Sequence, residues 1–468
     1  MRSQGYDSTV PVIKILLSNL TMMHWKPAVR TASFPSPIHG GKVVRSSYAA
    51  RLLTYLMVMG PGLIVMEADN DAGAVATYAQ AGGQYGLHLL WVLLILLPVT
   101  YFIQEMVVRL GIATGKGHAA MIYQRFGPWW GLFSLCDLHI VNFATLVTEF
   151  AAINQISAAF GITPYIGVPF MAIALVAVVI TGSYRRWERM IATLCLLDTC
   201  WFVLAFMVRP SLVEVATNSL IPNTPPGGWT GDLIFLIIGI IGTTIAPWQL
   251  FFQQSCVADK RLRFADLFDA RLDTFTAAIF TILVAGAMLI CGAALRAHGG
   301  TWSDPAHMAL FLGPIFGPVL KYGILLFWLN ACILGTTAVS LASAWAQGEV
   351  SGWRSSLDVS FRSAPQFYAL YIVAVALAAG LVLLPGAPLN VIILGVQVLA
   401  GIMLPSAIVF LNLLLNDRQV LTGPHGSQFL NKVWNNVVDW VIITVLFVMS
   451  GLLAAQVLLP GYFPTGGS

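Results

Sequence analysis

Charge is what this chain has least of. Asp, Glu, Lys and Arg make up 9% of its 468 residues, against about 25% in a soluble globular domain. Hydrophobic residues make up 58%, and the mean hydropathy is +0.80. A water-soluble fold is excluded, because too few charged side chains are present to coat one. Neither HExxH nor Gly-x-Gly-Asp occurs, so the usual signatures of intramembrane metallo- and aspartyl hydrolases are missing and no enzyme is expected. The six cysteines (Cys136, Cys195, Cys200, Cys256, Cys291, Cys332) show no CxxC spacing and lie in or beside apolar runs. They read as buried thiols, with neither a disulfide framework nor a zinc site.

What fills the chain is a series of apolar runs long enough to cross a bilayer, which takes about 20 helical residues. They fall near 52–79, 88–110, 129–160, 165–182, 190–208, 233–256, 274–295, 319–345, 367–385, 388–414 and 437–459, eleven in all. The fold class is therefore an all-α integral membrane protein, multi-pass in a cell membrane, with the lipid bilayer as its surroundings. If the N-terminus is cytoplasmic, only Arg209, Arg296 and Lys321 fall outside, leaving 21 of 24 basic residues inside, as the positive-inside rule requires. The odd span count puts the C-terminus outside. This topology accounts for the net charge of +4, so no nucleic-acid partner is read from it, and nothing predicts a protein partner or a resident cofactor. Residues 1–50 are polar to mixed and read as a mobile cytoplasmic tail. No small-residue cleavage pattern marks a signal peptide there.

Two spans carry features that an ordinary lipid-facing helix does not tolerate. In the first, Gly60-Pro61-Gly62 leads into Glu67, Asp69 and Asp71, three carboxylates within five residues. Each costs about 2.5–3.5 kcal/mol at mid-membrane, so they must face water, an ion or a protein interior. The following Asn70-Asp71-Ala72-Gly73 is poor helix material, and backbone at this depth unwinds only where it lines a cavity. In the sixth span, Thr243-Thr244-Ile245-Ala246-Pro247-Trp248-Gln249 places a proline in the middle. Pro247 has no N–H to return to Thr243 and disfavours helical geometry at Ala246. Breaks five spans apart are the signature of two inverted repeats with a substrate held between them at the midplane. The repeats expected here are residues 51–208 and 232–415, with an eleventh span over 436–459.

At these residues the chain resembles the Nramp family of divalent-metal transporters. The resemblance rests on Gly60 to Gly82, ending Gln80-Ala81-Gly82, on Leu90-Trp91-Val92-Leu93, and on Arg109-Leu110-Gly111-Ile112-Ala113-Thr114-Gly115-Lys116. Gln397, Leu404-Pro405 and Asn416-Asp417-Arg418 in the tenth span extend it, so that it covers most of residues 50–458. It implies an eleven-helix version of the leucine-transporter fold, two inverted five-helix repeats with helices 1 and 6 broken, working by alternating access.

The departures narrow the expectation. The family's first break reads Asp-Pro-Gly-Asn and supplies metal ligands from its Asp and Asn; here the same positions are Asp71, Ala72, Gly73 and Ala74. The family's sixth-helix break reads Met-Pro-His, with the Met sulfur a ligand; here it is Ala246-Pro247-Trp248. This pattern is similar to the branch called Nramp-related magnesium transporters. Thioethers suit soft metals, whereas carboxylate, carbonyl and water suit Mg²⁺, Ca²⁺ and Mn²⁺. Mg²⁺ in particular keeps several of its waters. Two alanines in place of two ligands widen the cavity for a hydrated ion.

The expected substrate is thus hydrated Mg²⁺, with Mn²⁺ also carried. The expected metal site is Asp71, the Thr243 carbonyl, Gln397 and Gln249, with Ala74 and Ala246 making room. Glu67, Asp69, Gly73 and Trp248 line the site or its vestibule. Glu149 aligns with an acid of the family's proton route and is the one residue left of it: Trp248 and Gln253 stand at the family's two sixth-helix His positions and Ala152 at a second third-helix acid. Transport without proton coupling is therefore expected. Glu105, Asp137, His139 and Asp198 read as buried pairs or helix-end residues.

Three other readings compete. A proton-coupled Mn²⁺ or Fe²⁺ symporter of ordinary Nramp type lacks its Met, Asn and His here. An organic-solute or amino-acid carrier on the same fold would hold a substrate carboxylate at a half-helix N-terminus, where Asp71, Asp69 and Glu67 would repel it. An intramembrane hydrolase has no motif to support it.

Overall fold

The computed structural model describes residues 60–180, 183–225, 227–422 and 425–458. The expected N-terminal tail, residues 1–50, and the start of the first span lie outside them. Among the described residues the chain is helical, without a β-strand. The first span is two helices, α1 (Pro61–Ala68) and α2 (Ala72–Tyr85), followed by α3 (Leu90–Thr114), α4 (His118–Phe126), α5 (Pro128–Ala159) and α6 (Pro164–Val179). Next come the consecutive α7 (Tyr184–Leu197) and α8 (Cys200–Met207), then α9 (Leu212–Leu220). The sixth span is again two helices, α10 (Gly231–Thr244) and α11 (Pro247–Asp259). The remainder is α12 (Leu267–Ala297), α13 (Pro305–Phe316), α14 (Pro318–Ser351), α15 (Pro365–Val382), α16 (Leu389–Leu415), α17 (Gly426–Phe429) and α18 (Val433–Leu458).

Among the described residues nine stretches are long and apolar enough to cross a membrane, with α10 and α11 counted as one and residues 186–207 of α7 and α8 as another. Of the eleven expected spans, the two not among these nine are the broken α1–α2 and the 16-residue α6. Helices α4, α9 and α13 run 9, 9 and 12 residues. The sequence analysis did not anticipate them, because each is too short to give a spanning signal.

Glycine lets two helix pairs touch backbone to backbone. A β-carbon on Gly82 of α2 would overlap the backbone of Leu289 in α12, and one on Gly292 would overlap that of Ala79. Likewise a β-carbon on Gly242 of α10 would overlap the backbone at Gln397 and Gly401 of α16. Small residues at such crossings are how membrane helices gain contact when lipid offers no hydrophobic drive. Consequently α2, the second half of the first span, is fixed to α12, and α10, the first half of the sixth, is fixed to α16.

The other two halves, α1 and α11, are tied down differently. Asp273 of α12 accepts the N–H groups of Gly62 at 2.8 Å and Gly60 at 3.4 Å, satisfying donors at the start of α1 that have no helical partner. Lys260, just past α11, pairs with Glu188 of α7 at 2.7 Å. Glu349 of α14 accepts from Ser255 of α11 at 2.7 Å, and its carboxylate fills the space beside Gly117 at the start of α4. Trp187, Phe252 and Trp345, from α7, α11 and α14, form an aromatic cluster between these elements, with ring centroids 5.5–6.4 Å apart. At the opposite end, toward the last turns of α2, lies a cavity of ≈ 500 Å³ lined by Thr77, Gln80, Gln84, Asp232, Asp304 and Asn390, among others.

Candidate functional site

The two breaks define the site. Helix α1 stops at Ala68 and α2 begins at Ala72, leaving Asp69, Asn70 and Asp71 between them. Loosening was expected to continue through Gly73, but the helix resumes at Ala72. The reason is capping: Asp71 Oδ1 accepts the Ala74 N–H at 2.8 Å, and Glu149 Oε2, from α5, accepts the Ala72 N–H at 3.2 Å. Two carboxylates thus satisfy free N–H groups at the positive end of the half-helix. In the sixth span α10 ends at Thr244 and α11 begins at Pro247. Ile245 and Ala246 are extended, and the Thr243 carbonyl faces a proline nitrogen four residues on.

Gln397, in the middle of α16, joins the breaks. Its amide occupies the space a β-carbon on Gly73 would fill, while its backbone carbonyl lies where one on Gly242 would go. Tyr78 makes a second connection, its hydroxyl 2.8 Å from Thr244 Oγ1. Thr243, Ala74 and Ala246 are all buried beside this junction, and Thr243 Oγ1 is among the buried polar atoms without a hydrogen-bond partner.

Other expected site residues take different places. Gln249 is buried with its Oε1 accepting from Gln104 at 2.9 Å, and its Nε2 is among the buried polar atoms without a hydrogen-bond partner. Trp248 was expected to line the site; its ring lies 5.9 Å from that of Phe252 and extends the aromatic cluster of α7, α11 and α14. Glu67 lies on α1, accepting from Thr281 Oγ1 at 2.7 Å and Asn70 Nδ2 at 3.5 Å. Of the acids set aside in the sequence, Glu105 is paired with Arg109 and Arg271. Asp137 accepts from Ser406, and His139 Nε2 lies 3.0 Å from Gln347 Oε1.

What the sequence did not reveal is how the acids assemble. Glu149 was placed on a residual proton route, and its carboxyl group lies close to Asp71, with its Oε1 lacking a hydrogen-bond partner. Both lie against Gly335 of α14, where a β-carbon would come 2.5 Å from Glu149 Oε1 and 2.7 Å from the Asp71 β-carbon. Asp198 interacts electrostatically with Glu67. Glu67, Asp69, Asp71, Glu149 and Asp198 therefore form a connected series of buried carboxylates. Among the described residues, none of the five has Lys, Arg or His as a partner. Buried acids without cationic partners are either neutralised by protons or balanced by a bound cation. Also among the described residues, no three His, Cys, Asp or Glu side chains converge on a point that could hold a metal ion.

Comparison with known proteins agrees with this geometry. Residues 62–456 match the family described as natural resistance-associated macrophage protein-like, abbreviated Nramp. The divalent metal cation transporter MntH of Staphylococcus aureus is 25% identical over 443 residues, covering 88% of this chain and 93% of its own length. MntH of Staphylococcus saprophyticus is 25% identical over 440 residues, with 87% and 93% covered. Among solved structures, the Eremococcus coleocola manganese transporter superimposes with a TM-score of 0.69 at 18% identity, over 89% of this chain and 90% of that one. MhsT in complex with L-phenylalanine gives a TM-score of 0.54 at 13% identity, with 88% and 100% covered. The fold is thus leucine-transporter-like, with broken first and sixth helices.

Proposed function

The chain belongs to the Nramp family, a membrane transporter for divalent metal cations and not an enzyme, and from that premise we propose that its substrate is hydrated Mg²⁺, with Mn²⁺ also carried. The observation that carries the reading is the pair of alanines at the junction. Ala74, whose N–H Asp71 accepts in the first turn of α2, and Ala246, in the break three residues after Thr243, are both buried, so the donors these segments offer are carboxylate, carbonyl and amide oxygens, without a thioether. Such donors favour hard ions. Mg²⁺ releases water reluctantly and is held through one or two carboxylates and its own hydration shell. Asp71 and Glu149 supply two carboxylates, and Gln397 and the Thr243 carbonyl supply acceptors for the water bound to the ion.

The mechanism is alternating access without proton coupling. With the orientation given by the basic residues, the cavity beside α2 and α10 faces outside. The contacts of Asp273, Glu188 and Glu349 close the cytoplasmic side. The ion descends past Thr77 to the breaks, and α1 and α11 must release those contacts to let it leave. One observation favours a second reading, a proton-linked symporter of ordinary Nramp type: Glu149, the remaining acid of that route, lies close to Asp71. Against it, Trp248 and Gln253 stand where titrating histidines would be needed.

The test is ion flux into liposomes containing the purified protein. Mg²⁺ uptake is expected, with Mn²⁺ carried or competing and Ca²⁺ carried poorly, since Ca²⁺ prefers more ligands at longer distances. Protein-dependent Mn²⁺ uptake with neither Mg²⁺ uptake nor Mg²⁺ competition would overturn the assignment.

A further inference from the structure

We propose that Glu67 and Asp198 form a second cation position, for a hard divalent ion of the substrate's own class, at the end of α1 and about one helical turn before Asp71. The proposal rests on the divalent-cation reading above and adds a second ion to it. Glu67, near the end of α1, and Asp198, which follows α7, are both fully buried and close enough for their charges to act on each other. Neither has a cationic side chain as partner among the described residues. The hydrogen bonds they do have come from neutral groups: Thr281 and Asn70 to Glu67, and Asn330 Nδ2 to Asp198 Oδ1 at 2.9 Å. Such bonds orient the carboxylates and leave their charge uncancelled.

A separate observation points to a ligand. The amide oxygens of Asn70 and Asn330, and Asp198 Oδ2, are buried without any hydrogen-bond partner. The amide orientations are fixed by the nitrogens. Asn330 Nδ2 donates to both Asp198 and the Leu194 carbonyl, the latter at 3.0 Å, and Asn70 Nδ2 donates to both Glu67 and the Thr281 carbonyl, the latter at 3.4 Å. Turning either amide would face oxygen against oxygen. Each side chain thus holds a carboxylate with its nitrogen and leaves its own oxygen buried and unused. A buried acceptor left unsatisfied costs about 1–3 kcal/mol. All are hard oxygen donors, the set that Mg²⁺ and Mn²⁺ favour. A divalent ion would balance the pair's two charges. The Cys195 thiol feels both charges, but it does not converge with the two acids on a common point, so a soft-metal site is not formed.

The experiment is Mn²⁺ binding to the full chain in nanodiscs, by equilibrium dialysis carried to saturation. Two ions per chain are expected. Asp198→Asn keeps the acceptor for Asn330 and removes the charge, so it should bind one, and Glu67→Gln, which keeps an acceptor for Thr281, should also bind one. Asp71→Asn should lose the other ion, and Asp71→Asn with Asp198→Asn should bind none. A wild-type chain that binds one ion, lost in Asp71→Asn and kept in Asp198→Asn and Glu67→Gln, would overturn this proposal and leave the proposed function standing. Two ions retained in both Asp198→Asn and Glu67→Gln would also overturn it. A wild-type chain that binds none would overturn both.

Discussion

The side-chain amide of Gln397 occupies the space that a β-carbon on Gly73 would need. Gly73 is already in helical backbone, in the first turn of α2, so alanine is compatible with the local conformation. What it displaces is the end of a flexible side chain. We therefore expect Gly73→Ala to fold, with overpacking that costs about 1–3 kcal/mol and is relieved by moving Gln397 off the junction. Mg²⁺ flux should fall by about tenfold, as loss of roughly 1.4 kcal/mol of binding would give. Flux and thermal unfolding measured together check this: unchanged flux in a folded Gly73→Ala protein would remove Gln397 from the site.

Asp71→Asn separates the charge of this residue from its capping role. Asn is as good an N-cap as Asp, so the bond to the Ala74 N–H is retained and stability should change by less than about 1 kcal/mol. The negative charge that balances a divalent ion is lost. Transport should drop to the rate of empty liposomes while the protein remains monodisperse and folded, and near-normal Mg²⁺ flux would place the site elsewhere.

The breaks themselves were legible in the sequence because each is a local conflict. Three acids and an Asn-Asp-Ala-Gly run cannot continue a lipid-facing helix, and Pro247 cannot bond Thr243. The partners of those breaks were not legible. Glu149 comes from α5, Asp198 from the end of α7 and Gly335 from α14, at sequence separations that periodicity does not bridge. Glu149 and Asp71 meet only because α5 crosses the N-terminus of α2, where two free N–H groups attract both carboxylates. The same contact explains why α2 begins at Ala72, two residues earlier than the composition of 70–73 suggests. Gly335 sits in a Gly-Thr-Thr run that looks like ordinary membrane helix. Only the opposed Glu149 and Asp71 side chains give its missing β-carbon a reason.

Restoring the two absent ligands, Ala246→Met with Ala74→Asn, tests the selectivity argument. The thioether favours softer ions, and both substitutions reduce the space available to a hydrated one. Mg²⁺ transport should fall and Cd²⁺ binding should rise, read by competition against Mn²⁺. If Mg²⁺ transport is unaffected and Cd²⁺ binds no better, the alanines do not set selectivity.

Asp273 should matter for stability. It alone accepts the Gly60 and Gly62 N–H groups among the described hydrogen bonds, and α1 is only eight residues long. Asp273→Ala leaves those donors without a partner, at a cost of about 1–3 kcal/mol. A lowered unfolding temperature is expected, with partial recovery in Asp273→Asn, which keeps an acceptor. Equal stability of wild type and Asp273→Ala would show that water replaces the carboxylate.

The absence of proton coupling is the expectation most exposed to failure, because Glu149 lies close to Asp71. A proton route needs a chain of groups that exchange protons near neutral pH, and histidine, with an ordinary pKa of about 6.5, is the side chain suited to it. Trp248 has its ring in the aromatic cluster against Phe252, and Gln253 donates to Thr274 Oγ1 at 3.3 Å. Neither exchanges protons in this range, and Ala152 cannot either. Glu149 accepts the Ala72 N–H through one oxygen, and among the described residues it has no histidine partner. A hydrated ion also acts on Asp71 from farther away than a directly bound one, which weakens any link between metal binding and proton release. The membrane potential is a sufficient drive, since a divalent cation crossing 100 mV gains about 4.6 kcal/mol, twice the roughly 2.3 kcal/mol per charge. A pH-sensitive dye sealed inside Mg²⁺-transporting liposomes should report no metal-dependent acidification, and Glu149→Gln, which keeps an acceptor for Ala72, should leave the dye signal equally flat. Proton influx that scales with Mg²⁺ uptake and disappears in Glu149→Gln would instead establish the Asp71–Glu149 contact as a coupling element.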